Sequence, residues 1–377
     1  MTIKTQFHPA GHLVTGLAGK SLQSDEKAWI MQHKPAGVIL FLRNLGTLDE
    51  VVDLVRSIRS ATVPPPTLWL DQEGGRVQRL RDPLTRYPTA EALARWDDGD
   101  PTDAVELAHL WGLVCGQELR SLGFGVNCAP VLDLREPGAH PVIGDRAFGA
   151  HPEQVIRLAG AWLEGLAASG CMAVGKHFPG HGAALVDSHR QLPVIDKDRQ
   201  RLEKEELLPF RQLASRLPAM MTAHLVVPAI DREQPATWSS KIMTDLLRRQ
   251  WGYRGLLVSD AIEMSALDGD LVMRTKRAVL AGCDLVLCCT GKMEDNEAAR
   301  LGVIAAWEDV GSRSQGPLFA AAAIEKILDT YRTEPGDWRQ LLSDPAYRQR
   351  RERLEAVSFS PLGADPTQAG QQGNAIG

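Results

Sequence analysis

The segment Cys171-Met172-Ala173-Val174-Gly175-Lys176-His177-Phe178-Pro179-Gly180-His181-Gly182 joins a short apolar run directly to a polar, glycine-rich loop. The apolar half predicts a buried strand, since short apolar runs bounded by turn residues are typical of parallel strands covered on both faces. The polar half gathers a lysine and two histidines where glycine and proline break regular structure. We therefore expect a strand followed by a loop that binds a small polar ligand.

The same arrangement of a short apolar run and a longer helical pattern recurs along nearly the whole chain. Strands are predicted at Leu13–Leu17, Val38–Leu42, Thr67–Leu70, Gly125–Pro130, Met172–Gly175, Ala219–Thr222, Leu256–Ser259 and Asp284–Cys289. Helices are predicted near 25–33, 48–60, 103–121, 152–168, 199–215, 239–250, 271–281, 294–310 and 317–332. Eight strands separated by helices predict an α/β fold, a (β/α)₈ barrel of the TIM type in a single domain. An open doubly wound sheet is the main alternative, but no glycine-rich dinucleotide motif follows the first strand.

Helix starts and domain limits follow from local signals. Thr47 with Glu50 three residues later predicts a capping box, and Ser24 before Asp25 and Glu26 predicts an N-cap. We expect the catalytic barrel to span residues 1–335 and a C-terminal helical segment to span 336–356. Residues 357–377 are rich in Gly, Gln, Pro and Ala, which predicts a disordered tail.

Composition restricts the class of protein. The net charge of −5 and pI of about 6.1 give no electrostatic reason to expect nucleic acid or an anionic membrane as partner. The first nine residues lack the apolar region of a secretory signal, and no stretch approaches the roughly 18 apolar residues of a membrane span. Six cysteines without C-x-x-C spacing indicate a reducing, cytoplasmic location. We expect a monomer that uses neither a cofactor nor a metal.

Ionisable residues follow several predicted strands, where a barrel places its catalytic groups. They are Asp71, Asp133, Asp145, Arg146, Lys176, His177, His224 and Asp260. Some of these residues, and Arg79, have an alternative interpretation. Asp260 with Glu263 matches a helix capping box, Asp71 matches a loop cap, and Arg79 and Arg146 match ordinary surface charges. The convergence of groups from at least four strands on one mouth favours a functional site.

The histidines and Asp187 suggest two chemistries. His177 and His181 are four residues apart, as in helical zinc sites, but Pro179 and Gly180 between them disfavour a helix and therefore a metal. Asp187 two residues before His189 can hold the imidazole in one tautomer and raise its pKa, which suits proton transfer. No G-x-S-x-G nucleophile is present, so this dyad would serve another nucleophile, and Asp260 is the candidate. One attacking and one protonating group form the double-displacement arrangement of retaining glycosidases.

Five motifs resemble glycoside hydrolase family 3, in particular its single-domain β-N-acetylglucosaminidases of peptidoglycan recycling. They cover roughly residues 10–330 and comprise Asp71-Gln72-Glu73-Gly74-Gly75-Arg76-Val77, Gly144-Asp145-Arg146-Ala147-Phe148, Lys176-His177-Phe178-Pro179-Gly180-His181-Gly182, Asp187-Ser188-His189, and Gly252-Tyr253-Arg254-Gly255 leading to Ser259-Asp260-Ala261. The resemblance implies that Asp260 is the nucleophile and His189 the acid/base, with Asp187 as its partner. It also implies that Asp71, Arg79, Arg146, Lys176 and His177 bind the hydroxyls of a terminal β-linked N-acetylglucosamine.

Two adjacent positions depart from the family pattern, and other functions stay open. Ala183-Ala184 replaces the usual Asp-Thr after the long motif, which affects how the loop carrying His189 would close. The alternatives are a phosphorylase of the same family, a sugar-binding barrel without activity, and a zinc-dependent amidohydrolase. The preferred aglycone, on anhydro-muropeptides or chitin-like fragments, is not encoded in any motif.

Overall fold

Eight parallel strands form a closed barrel in the computed structural model, which describes residues 9–188, 191–311 and 321–358. The strands are β1 Leu13–Gly16, β2 Gly37–Leu40, β3 Thr67–Leu70, β4 Gln72–Gly74, β5 Val77–Gln78, β6 Val126–Asn127, β7 Met172–Phe178, β8 Ala219–Thr222, β9 Leu256–Ala261 and β10 Leu285–Cys288. The barrel order is β1-β10-β9-β8-β7-β6-β3-β2, and β4 and β5 form a separate antiparallel hairpin. The predicted single-domain barrel is confirmed.

Helices surround the barrel and alternate with its strands. They are α1 Ser24–His33, α2 Leu48–Ser60, α3 Ala90–Asp97, α4 Pro101–Ser121, α5 Pro152–Ala168, α6 Arg199–Lys204, α7 Leu207–Leu213, α8 Leu271–Ala281, α9 Met293–Gly311, α10 Ala321–Asp329, α11 Trp338–Ser343 and α12 Pro345–Ser358. A π-helix spans Lys241–Gln250 before β9. The helices α11 and α12 both contact α4 from the predicted C-terminal segment. The predicted tail, apart from its first two residues, lies outside the described residues.

Each barrel strand divides its side chains between two cores, because successive residues of a strand face opposite sides. Along β2, Ile39 belongs to the cluster inside the barrel, whereas Val38 and Leu40 belong to the cluster between barrel and helices. Ile324 and Leu328 of α10 join the interior cluster. This division explains why the strands read as continuous apolar runs rather than alternating ones.

Among the strand boundaries that differ from the prediction, those of β6 and β7 bear on the polar residues. β6 contains only Val126–Asn127, and Pro130, three residues further on, has no N–H to donate to a ladder. β7 runs through Phe178, so Lys176 and His177 lie on the strand and not in the loop after it. The Lys176 N–H donates to the carbonyl of Pro130 at 3.1 Å, which continues the pairing up to the polar residues. A rigid strand therefore carries both of these side chains.

The helix caps agree with the sequence in one case and differ in the other. At α2, the Thr47 hydroxyl accepts from the Glu50 N–H, and the Glu50 carboxylate accepts from the Thr47 N–H, as predicted. At α1, the N-cap is Gln23 and not Ser24, since the Glu26 carboxylate accepts from the Gln23 N–H at 2.8 Å. In the three described ranges, no helix combines the length and apolarity needed to span a membrane. All six cysteines are buried free thiols.

Candidate active site

A cleft opens at the carboxyl ends of the barrel strands. Its floor is apolar and its walls are charged. It is lined by Ile39, Phe41, Asp71, Glu73, Val77, Arg79, Arg146, Lys176, His177, Met221, Asp260, Ala261, Leu287 and Cys289. The family resemblance assigned roles to eight residues, and six of them line the cleft: Asp71, Arg79, Arg146, Lys176, His177 and Asp260.

Glu73 lies at the centre of the charged wall. The Arg146 guanidinium binds its carboxylate with two hydrogen bonds, Nε to Oε2 at 2.8 Å and Nη2 to Oε1 at 2.7 Å. The Lys176 ammonium lies 2.7 Å from Oε1. Sequence reasoning assigned no role to Glu73. A usable signal was present, because residues two apart in an extended chain face the same side and Glu73 follows Asp71 by two.

Asp71 forms the second carboxylate of the wall and shares Lys176 with Glu73. The Lys176 ammonium donates to Oδ1 of Asp71 at 2.8 Å, and the Arg79 guanidinium lies 3.5 Å from Oδ2. Asp71 follows β3 directly and opens the hairpin that carries Arg79, so one short segment supplies both groups. Within the described ranges, the structure shows these two ionic contacts for Asp71 and no loop cap, which was its alternative interpretation.

Opposite charges keep this wall ionised although it is buried. Burial alone would raise the pKa of Glu73 and Asp71, but the neighbouring cations outweigh it and both pKa values are lowered. For Lys176 and Arg146, burial alone would lower the pKa, yet the two carboxylates raise both values. The wall therefore presents fixed charges at neutral pH. Charged donors and acceptors form stronger hydrogen bonds to ligand hydroxyls than neutral groups do.

Asp133 holds the histidines of the long motif and is fully enclosed. Its Oδ2 lies 2.6 Å from His177 Nδ1, and its Oδ1 accepts from the His181 N–H at 2.7 Å. Because Asp133 occupies Nδ1 of His177, the opposite ring nitrogen is the one left to face the cleft. His181 is buried, which lowers its pKa to about 4 although Asp133 partly opposes this. His181 is therefore neutral at physiological pH, and its Nε2 lies 3.0 Å from the Ser188 hydroxyl.

Asp260 lies near the end of β9 and faces the cleft. Its Oδ1 accepts from the Ala261 N–H at 2.8 Å, and the carbonyl of Ala261 in turn lies 2.9 Å from His224 Nε2. The capping-box interpretation with Glu263 is wrong, because α8 begins only at Leu271 and is capped by Asp270. A carboxylate on a strand end, opposite a wall of fixed charges, is placed for reaction with a bound ligand.

Close contacts explain two glycines of the long motif. At Gly182, a Cβ atom would lie 2.0 Å from the carbonyl oxygen of Leu134, so no side chain fits there. Gly180 has φ +121°, a conformation that side chains disfavour. The next two positions, Ala183 and Ala184, are those where the sequence departs from the family pattern. The backbone carbonyl of Ala184 accepts a hydrogen bond from the His140 N–H at 2.8 Å. This contact ties the β7 loop to the loop that carries Arg146.

Only Asp187 of the predicted acid/base pair lies within the described residues. Asp187 is half-buried and does not appear among the residues that line the cleft. His189 lies outside the described residues, so its role stays a prediction. Within the described ranges, no cluster of three or more His, Cys, Asp or Glu side chains is arranged to hold a metal ion.

A barrel with carboxylates and cations at its mouth defines an enzyme for a small polar substrate. Residues 11–309 match the family described as Glycosyl hydrolase family 3 N terminal domain. The chain is 44% identical over 282 residues to a Beta-hexosaminidase of Alkalilimnicola ehrlichii, covering 74% of this chain and 80% of that protein. It is 36% identical over 356 residues to a Beta-hexosaminidase of Bordetella pertussis, covering 93% and 97%.

A solved structure also supports membership of this glycosyl hydrolase family. The barrel is similar to NagZ from Neisseria gonorrhoeae in complex with N-trifluoroacetyl-D-glucosamine, with TM-score 0.82, 30% identity, and coverage of 92% of this chain and 98% of that one. The chain therefore belongs to glycosyl hydrolase family 3. It is a glycoside hydrolase acting on small glycosides, which replaces the amidohydrolase alternative.

Proposed function

We propose that this protein is a retaining exo-β-N-acetylglucosaminidase. It would remove terminal β-linked N-acetylglucosamine from peptidoglycan-derived or chitin-like fragments in the cytoplasm. The observation that carries the proposal is Asp260 in the same cleft as the charged wall of Asp71, Glu73, Lys176 and Arg146. The names of the relatives and the amino-sugar ligand of the NagZ structure support the choice of sugar.

In the proposed mechanism, the charged wall and His177 hold the hydroxyls of the terminal sugar. Asp260 attacks the anomeric carbon, the bond to the leaving oxygen breaks, and a covalent glycosyl-enzyme forms. The hydrogen bond from the Ala261 N–H fixes one carboxylate oxygen of Asp260. Asp71, Arg79, Arg146 and Lys176 are substrate-binding residues in this proposal, because their charges are preorganised around the cleft.

His189 would protonate the leaving oxygen in the first step and take a proton from water in the second, with Asp187 orienting its ring. This assignment depends on the sequence pattern, since His189 is outside the described residues. Removal of the imidazole should slow substrates with a poor leaving group most, because only these need the proton.

The covalent step can be tested by intact-mass measurement. Wild-type protein incubated with a fluorinated N-acetylglucosaminyl substrate of slow turnover should gain the mass of one sugar residue. Asp260→Asn should show no adduct, and its kcat should fall on the order of 10³- to 10⁵-fold while ligand binding persists. A wild-type protein that turns over the substrate without any adduct would rule out the covalent route.

The role of His189 can be tested by comparing leaving groups. His189→Ala should lose roughly 10²- to 10⁴-fold in kcat/KM on a disaccharide, but much less on an aryl glycoside with a good leaving group. Asp187→Asn is the matched variant and should act in the same direction with a smaller effect. Equal losses on both substrates would contradict His189 as the acid.

The phosphorylase alternative predicts a different product. In that reaction phosphate replaces water in the second step and releases the sugar 1-phosphate. Product analysis with and without phosphate separates the two activities. Phosphate-dependent turnover with sugar 1-phosphate as the main product would replace the hydrolase proposal, while leaving the covalent step intact.

A further inference from the structure

Arg76 lies at the tip of the β4–β5 hairpin, outside the residues that line the cleft. We propose that Arg76 is a positioning residue that holds Arg146 in its binding geometry. The inference deepens the proposed function, because Arg146 is a substrate-binding residue there. It assigns a role to the arginine of the Asp71–Val77 motif that sequence reasoning left without one.

The contacts of Arg76 converge on the loop that carries Arg146. Its Nη2 lies within hydrogen-bond distance of three successive carbonyl oxygens, those of Pro141 at 2.5 Å, Val142 at 2.9 Å and Ile143 at 3.0 Å, which share its two hydrogens. Its Nε lies 2.9 Å from the carboxylate of Asp145. One side chain thus fixes four of the five residues directly before Arg146.

Arg146 depends on the same stretch of backbone. It lies in a single short 3₁₀ turn, Gly144–Arg146. Its Nη1 donates to the Val142 carbonyl at 3.0 Å, so Arg76 and Arg146 share one acceptor. The Nε and Nη2 atoms of Arg146 each donate to one carboxylate oxygen of Glu73. If the turn shifted, Arg146 could not keep the two-pronged contact with Glu73, because that contact requires a fixed guanidinium plane.

The β4–β5 hairpin supplies both residues that hold Arg146, namely Glu73 and Arg76. Glu73 lies in β4, and Arg76 follows it in the turn of the same hairpin. The hairpin therefore holds Arg146 directly through Glu73 and indirectly through Arg76. The exposed fraction of the Arg76 side chain is 25%, so its substitution removes a partly exposed contact rather than a core residue.

Chemistry favours arginine at this position. A guanidinium can direct one nitrogen to carbonyl oxygens and another to a carboxylate at the same time. A lysine ammonium carries its charge on a single atom, so it would keep the charge opposite Asp145 but would not reproduce the separate positions of Nε and Nη2. Arg76→Lys should therefore restore part of what Arg76→Gln loses.

A double-mutant cycle with Arg146 tests the inference. On an aryl β-N-acetylglucosaminide, Arg76→Gln should raise KM about 10- to 100-fold with a smaller change in kcat, and Arg76→Lys should lie between it and wild type. In an Arg146→Ala background, Arg76→Gln should add less than about 2-fold, because it acts through Arg146. A full additive loss in that background would overturn the proposal.

Arg81→Gln is the matched control. Arg81 lies in the same region but donates to Gln78 and Gly75, not to the Arg146 loop. It should leave KM within about 2-fold of wild type. An equal effect of Arg81→Gln and Arg76→Gln would mean that general loosening of the hairpin explains both, and the proposal would fail.

Hydrogen exchange provides a readout that does not depend on activity. The Arg146 N–H donates to the Ile143 carbonyl at 2.9 Å and the Ala147 N–H to Gly144 at 3.3 Å. Both amides should exchange at least about 10-fold faster in Arg76→Gln, with α4 unchanged. If wild-type protein does not cleave the aryl glycoside, the proposed function fails. Hydrogen exchange would still show whether Arg76 holds the loop before Arg146. Unchanged exchange in residues 141–147 would overturn the proposed role of Arg76.

Discussion

Glu73 and Glu118 are both buried glutamates, but their surroundings differ in one respect. Glu73 is bound by the cations of Arg146 and Lys176. Glu118, on α4, is bound by neutral donors alone: the Thr85 N–H at 2.8 Å, the Tyr87 hydroxyl at 2.7 Å and the Tyr347 hydroxyl at 2.6 Å. The pKa of Glu73 is lowered, because the two cations outweigh burial. The pKa of Glu118 is raised by burial, which its hydroxyl and amide donors only partly offset.

The comparison distinguishes Glu73, whose carboxylate supports ligand binding, from Glu118, whose carboxylate stabilises the fold. Glu73 stays charged and fixes two cations in the cleft. Glu118 joins the loop after the hairpin to α12, since Tyr87 and Tyr347 reach it from opposite directions in sequence. Burial alone therefore does not identify a functional carboxylate. The sign of the pKa shift, set by the charge of the neighbours, distinguishes the two sites.

The largest expected difference is between Glu73→Gln and Glu118→Gln, which make the same chemical change. Glu73→Gln leaves Lys176 and Arg146 without a shared counter-charge and should lower kcat/KM at least about 100-fold. It should also cost about 3 kcal/mol in the free energy of unfolding, because a buried ionic cluster loses one partner. Glu118→Gln should leave kcat/KM within about 2-fold. Comparable activity losses in steady-state assays of the two variants would remove the distinction.

The pH dependence of stability should have opposite signs at the two kinds of carboxyl. Burial raises the pKa of Glu263 to about 7. Between about pH 4 and pH 7, the folded protein keeps a proton there that the unfolded chain has lost, so stability falls as pH rises. Glu263→Gln should remove part of that fall. For Glu73, whose pKa is lowered, the stabilising contribution is present above about pH 4 and is lost as pH falls below it.

Thermal unfolding of the variants from pH 4 to pH 8 checks these signs. Relative to wild type, Glu263→Gln should be most favourable near pH 8, and Glu73→Gln should be most damaging there. If the stability of both variants changed with pH in the same way relative to wild type, the opposite pKa shifts of Glu263 and Glu73 would be contradicted.

The smallest expected effect is that of Tyr347→Phe. It removes one hydroxyl donor to Glu118 and leaves the ring packed, so the free energy of unfolding should fall by about 1 kcal/mol. The activity should not change, since Tyr347 contacts α4 and not the cleft. Calorimetry and a steady-state assay measure both quantities. A loss of activity would show that the Glu118 cluster also supports the site.

Much of the barrel could be predicted, because a parallel strand buried on both faces leaves an unmistakable apolar run. All eight barrel strands were predicted, with limits that differ by a few residues. The β4–β5 hairpin and α3 were missed, since Gln72–Gly74 and Val77–Gln78 are too short and polar for a period to show. Ser24 was wrong as the cap of α1 because Gln23 and Ser24 are local competitors that only the backbone conformation separates.

The site was partly predictable for a related reason. Asp71, Lys176 and Asp260 lie at strand ends, and the barrel rule brings strand ends together without any further information. Glu73 was missed as a site residue, and Asp133 was singled out by its position after a strand but without its partner, because both partners are distant in the chain. Glu73 meets Arg146 across 73 positions, and Asp133 meets His177 across 44. No local pattern encodes such a pairing.

The sequence by itself determined the closed barrel, the family and the segments that supply the cleft, because strand burial and motif chemistry are local properties. Only the tertiary structure decided which charges neutralise one another, and therefore which buried carboxyls stay ionised. That decision depends on distances between atoms of different segments, and electrostatic interactions between buried groups vary steeply with those distances.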